Sequence, residues 1–168
     1  MSAPSYWLAS VTPVPPPAEA NPTTRTLLYA AVVTGSWSGV LSLIVYGIAR
    51  AAGVPFDVNS PLAPIPPQVS WLLVLLAPLA AAVIGALLST LLLGRKHARR
   101  IVFWFGTLVA IALCIYPIIQ PATTLWSTRI VLVSFHVITW FLVVPQLARI
   151  VGDSEPGMSM ARGTVVEI

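Results

Sequence analysis

His136 and Arg129 are the residues of this 168-residue chain best placed to do chemistry, because both lie in "TRIVLVSFHVITWFLVVPQLAR", residues 128 to 149, which otherwise reads as a membrane span. They are seven residues apart. At about 100° per residue, that spacing puts them within roughly 20° of each other on one helix face, two turns apart, with Trp140 a turn further along. An ionisable group in hydrocarbon is expensive, and a functional role is its default reading. Together with the preceding Thr123 and Thr124, the pair would form a polar ligand or proton pathway in a small carrier or sensor. The competing reading, which the sequence favours, has neutral His136 pointing into the bundle as an interhelical hydrogen-bonding group, with Arg129 above it near the outer interface.

Other chemistry has less to work with. A zinc site needs three or four ligands, and the apolar spans contain no second His and no Asp or Glu. Haem held by two histidines would require two copies of the chain. The nearest carboxylate, Asp57, lies in a loop, where a pairing with Arg50 or Arg129 would be a weak surface contact. The "GSWSG" at residues 35 to 39 is not a hydrolase elbow, since Trp37 occupies the position that must be Ser and no strand-turn-helix surrounds it. The expectation is a protein without enzymatic activity, metal or cofactor.

The elements that must position these residues are set by composition. Hydrophobic residues make up 57% of the chain and charged ones 8%, with a mean hydropathy of +0.89, against about 25% charged in a soluble domain. Four apolar runs, at about 26–49, 71–94, 101–119 and 128–148, are each long enough to cross roughly 30 Å of hydrocarbon as a helix. Only helices satisfy their backbone locally in lipid, and no run alternates like a barrel strand. The predicted fold is therefore all-α, a multi-pass bundle of four transmembrane helices over 26–149. A Pro-rich disordered tail over 1–25, which lacks the features of a signal peptide, precedes it, and a short tail over 150–168 follows.

Charge gives the orientation. "RKHARR", residues 95 to 100, puts Arg95, Lys96, Arg99 and Arg100 between the second and third spans, so that turn is predicted to be cytoplasmic and both termini with it. The net charge of +4 lies beside apolar spans and not on a soluble module, which argues against nucleic-acid binding. The single Cys114 lies in an apolar run and reads as a packing residue. Small residues four apart predict close helix contacts at Gly35 and Gly39, at Ala81 and Gly85, and at Gly106 and Ala110. Pro78, Pro117 and Pro145 permit kinks in the last three spans. The Pro-rich first loop, residues 50–68, reads as a stiff connector. The surroundings implied are the lipid bilayer, with a larger membrane protein or a second copy as possible partners.

The second half, "YPIIQPATTLWSTRIVLVSFHVITWFLVVPQLAR", resembles the uncharacterised four-helix integral membrane proteins of actinobacteria, a family built on a domain of unknown function. In those proteins the third span ends in Pro and leads into a small-residue and Thr turn, and the fourth carries a His and a late Pro. Here the matching residues are Pro117, Ala122, Thr123, Thr124, His136 and Pro145, and "IARAAGVPFDV" resembles the end of the family's first span. The resemblance implies this architecture in a bacterial plasma membrane and carries no activity with it. An accessory or interaction component of that membrane is the function the sequence favours.

Overall fold

The computed structural model describes residues 22–58 and 68–156. Most of the N-terminal tail, the middle of the first loop and the end of the C-terminal tail, with Arg162, lie outside the described residues. Four helices make up the fold: α1 (Thr24–Ala51), α2 (Trp71–Thr90), α3 (Ala98–Ile118) and α4 (Trp126–Gly152). Each is long and apolar enough to cross a membrane, and no strand occurs among the described residues. This is the architecture of a multi-pass membrane protein.

The helix ends follow from local side chains. Thr23 and Thr26 form a reciprocal capping box at the start of α1, each hydroxyl accepting the other's backbone N–H at 3.4 Å. At its far end Gly53, at φ +84°, lets the chain turn so that Val54 N–H reaches Ala49 O and Gly53 N–H reaches Arg50 O, both at 3.0 Å. Ser70 caps α2 by accepting Leu73 N–H. That helix stops at Thr90, four residues short of the predicted span, because residues 91–93 bond back by three-residue turns and Gly94 then reverses the chain at φ +72°. Pro78, Pro117 and Pro145 lie within continuous helices.

Helix α1 is the hub: it packs along α2 and α4, which touch each other only lightly, and α3 is attached essentially through α4. The expected bundle is therefore a three-helix core with an outrigger. One apolar cluster fills the end near the basic turn, with Leu27, Ala31, Ala82, Ala86, Leu147 and Val151 among its members. A second, at the opposite end, gathers Ala49, Val74 and Phe135 around Phe56. Phe56 belongs to the first loop, yet it is fully buried, stands at φ +58° and packs with its ring centre 4.5 Å from that of Tyr46, the planes tilted by 41°. A bulky side chain held in the left-handed region shows that burial of its ring outweighs a backbone penalty of about 1–2 kcal/mol.

Candidate functional site

Arg129 sits in the first turn of α4 and is the one buried Lys, Arg, Asp or Glu among the described residues. Its guanidinium fans out over the turn that joins α3 to α4. Nε donates to Thr124 O at 3.1 Å, Nη1 to Ile118 O at 2.9 Å and Nη2 to Pro121 O at 2.7 Å. Ile118 is the last residue of α3 and cannot find an intrahelical partner for its carbonyl. Trp126 lies under the guanidinium carbon at 4.7 Å, a cation–π contact. The planar guanidinium, with donors on three separate nitrogens in a fixed fork, spans three carbonyls that a single ammonium nitrogen would have to gather around one point. Arg129 is thus a clasp on the 118–124 turn. Asp57 pairs with neither arginine considered for it; its backbone pairs antiparallel with that of Gln68, and Arg50 donates weakly to Pro55 O at 3.4 Å.

His136 is placed differently from the expectation. Its Nδ1 lies 2.8 Å from Leu132 O, the carbonyl one turn back in the same helix. A carbonyl only accepts, so Nδ1 is the donor in this contact. The bond is intrahelical, not interhelical, and the ring is half-buried. Arg129 directs its donors towards the turn, away from His136 and about 10 Å along the helix from it. The structure therefore joins Arg129 to Thr124, which is buried, while Thr123 is exposed. It does not bring His136 to them.

Besides Arg129 to Ile118 O, two interhelical hydrogen bonds join side chains whose pairing the sequence does not show. Thr139 donates to Phe135 O at 2.8 Å and so accepts from Ser38 of α1 at 2.9 Å. Thr107 donates to Phe103 O at 2.8 Å and accepts from Trp140 Nε1 at 3.0 Å. In both, a threonine spends its proton on its own helix and offers a lone pair to the neighbour. Two buried hydroxyls, Ser42 and Thr128, make no hydrogen bond. Among the described residues no three His, Cys, Asp or Glu side chains come together.

The small residues divide. A Cβ on Gly35 would stand 2.9 Å from Leu79 Cα and from Ala82 Cβ, and one on Gly39 would collide with the Leu75 carbonyl. Gly106 backs onto Val144, where a Cβ would fall 2.8 Å from both methyls, and Gly85 would meet Leu147 at an ordinary 3.4 Å. Ala110 is half-buried. Ala81 is a correction: it is exposed, because α2 turns the next row, Pro78, Ala82 and Ala86, towards α1 and the core.

At the basic turn, Arg95, Lys96, Arg99 and Arg100 are all exposed. His97 starts α3 at φ +63° with no side-chain cap. Capping comes instead from beyond α4: Glu155 accepts Arg99 N–H at 2.8 Å and Ser154 accepts Gly94 N–H at 3.0 Å. A carboxylate there also meets the positive end of the α3 dipole. The signal available in the sequence was the pair Ser154–Glu155 closely following an apolar span, which reads as tail without knowledge of the α3 start. No curated protein and no solved structure matches the chain. One family model does, over residues 19–153, and it is described as "Family of unknown function (DUF6069)".

Proposed function

The chain belongs to the family of unknown function DUF6069, and from that premise we propose that it is a non-enzymatic accessory or interaction component of a bacterial plasma membrane. The observation that carries this reading is the state of Arg129. Its guanidinium is committed to three backbone carbonyls and a Trp face, and so is its own loop's support and not a receptor for a ligand. A carrier pathway through His136 and Arg129 has less to rest on, since the two are directed apart and His136 is bonded within its own helix.

Orientation and source complete the proposal. The α1 start, the α2–α3 turn and the α4 end carry Arg25, Arg95, Lys96, Arg99, Arg100 and Arg149, against Arg50 and Arg129 at the opposite end. That asymmetry supports a cytoplasmic location for the basic end and both termini. The resemblance of the second half to actinobacterial membrane proteins supports an actinobacterial source. The experiment is purification of the tagged protein in mild detergent from its own membrane, with every copurifying chain quantified against it by mass spectrometry. A larger membrane protein in fixed stoichiometry is expected. Recovery of the chain alone, or only with itself, would remove the accessory reading.

A further inference from the structure

Trp37 stands at the midpoint of the 28-residue α1, is 46% exposed and makes no hydrogen bond. Next to it, Ser36 is exposed and equally unbonded. The other described tryptophans have conventional surroundings. Trp71 and Trp126 begin α2 and α4, Trp104 lies in the first two turns of α3 with its side chain tilted towards that helix start, and Trp140 is satisfied by Thr107. Helix ends are where lipid headgroups and water can serve an indole N–H. At mid-span, hydrocarbon offers Trp37 nothing.

The two residues lie outside the packed face of α1, which is made by Ala31, Thr34, Gly35, Ser38, Gly39 and Ser42. Ser36 stands on the opposite side, and Val33, Val40 and Gly47 fall with it on one outward stripe at helical spacing. At Gly47 a Cβ would meet nothing within 4 Å. An indole only donates, whereas a serine hydroxyl accepts while its own proton can turn back to a carbonyl of its helix. One donor and one acceptor thus sit side by side, and each lacks the other's kind of partner.

We infer that the outward face of α1 pairs with the same face of a second copy, Trp37 Nε1 of each chain donating to Ser36 Oγ of the other. A copy inserted in the same orientation brings residues 36 and 37 to the same depth without further requirement, and a two-fold axis along the membrane normal then makes both bonds at once. An unrelated partner would have to present an acceptor and a donor in the reverse arrangement at that one depth. The short side chains of Val33, Ser36 and Val40 allow the two backbones to approach. This inference rests on the reading of the chain as an integral membrane protein.

The test places single cysteines in a Cys114→Ser background, at Val40 on the proposed face and at Ile84 on an exposed part of α2. Membranes are washed with alkaline carbonate and then oxidised at fixed protein-to-lipid ratios. Val40→Cys should yield disulfide-linked dimers and Ile84→Cys should not. Adding Trp37→Phe, which keeps the ring and removes the donor from both chains, should weaken dimerisation about fivefold to tenfold. Ser36→Ala should do the same and Ser36→Thr should restore it. Equal linking at Val40 and Ile84, none at Val40, or indifference to both Trp37→Phe and Ser36→Ala would overturn the pairing. Release of the protein by carbonate would instead overturn the membrane reading, and the pairing with it. The pairing survives if the accessory reading fails, because dimers would form with no larger chain present.

Discussion

Along the α1–α2 seam, backbone meets backbone at Gly35 and Gly39, whereas the α3–α4 seam is held by polar groups at intervals: Glu155 at one end, Trp140 with Thr107 in the middle and Arg129 at the other end. The first seam has dispersion along its whole length and no room to give. The second has one such close approach, Gly106 against Val144, and adds a few directional contacts that can each be removed without collision. In lipid, where no hydrophobic force drives helices together, the two are different solutions to one problem. Continuous contact fixes α1 and α2 as a unit, and discrete ties leave α3 as the helix most easily detached.

The largest blow to this contrast should come from Gly39→Val. The added side chain meets the Leu75 carbonyl, which belongs to a helix backbone and cannot step aside, so a loss of about 3 kcal/mol is expected in a denaturant titration in micelles. Gly47→Val, where space is open, should lose less than 1 kcal/mol. Equal losses at both positions would refute the close-contact account of the first seam.

Arg129→Leu comes next. It strands the carbonyls of Ile118, Pro121 and Thr124, with an expected loss of about 2 kcal/mol. The effect should be local, read as faster proteolysis of residues 119–125 while α1–α2 stays protected, and Arg129→Lys should not rescue it. Protection unchanged in Arg129→Leu would show that the clasp is not what holds the turn. The smallest effect belongs to Trp140→Phe, which removes one interhelical bond and should lower stability by about 0.6 kcal/mol. A loss several times larger would mean that the middle tie, and not the ends, holds α3.

The helices were legible because roughly 20 apolar residues admit one solution in lipid, and Gly35 and Gly39 were legible because glycine has no rival for close approach. The face of α2 was not. Ala77, Ala81 and Gly85 form one four-residue row and Pro78, Ala82 and Ala86 form its neighbour, and alanine-rich composition makes the two equal until a partner surface chooses. Arg129 and His136 were seen as a pair because helical spacing aligned them. What separated them was which carbonyls each side chain can reach, and a carbonyl leaves no mark in the sequence. Phe56 was invisible for a related reason: a single aromatic residue in a Pro-rich loop shows its role only when the three helices that receive it are in place.

The burial of Phe56 also turns the first loop into a closed purse. Val69 N–H bonds to Phe56 O at 3.1 Å, the backbone of Asp57 pairs with that of Gln68, and Tyr46 donates to Val69 O at 3.1 Å, so the chain leaves and re-enters the fold at one pinned point. Residues 56–57 and 68–69 are thereby held side by side. Lengthening the chain between two points pinned in this way costs closure entropy of about 0.6 kcal/mol for each doubling. The pinned ends at Asp57 and Gln68 mean that a change of chain length between them is expected to leave the register of α1 and α2 unchanged.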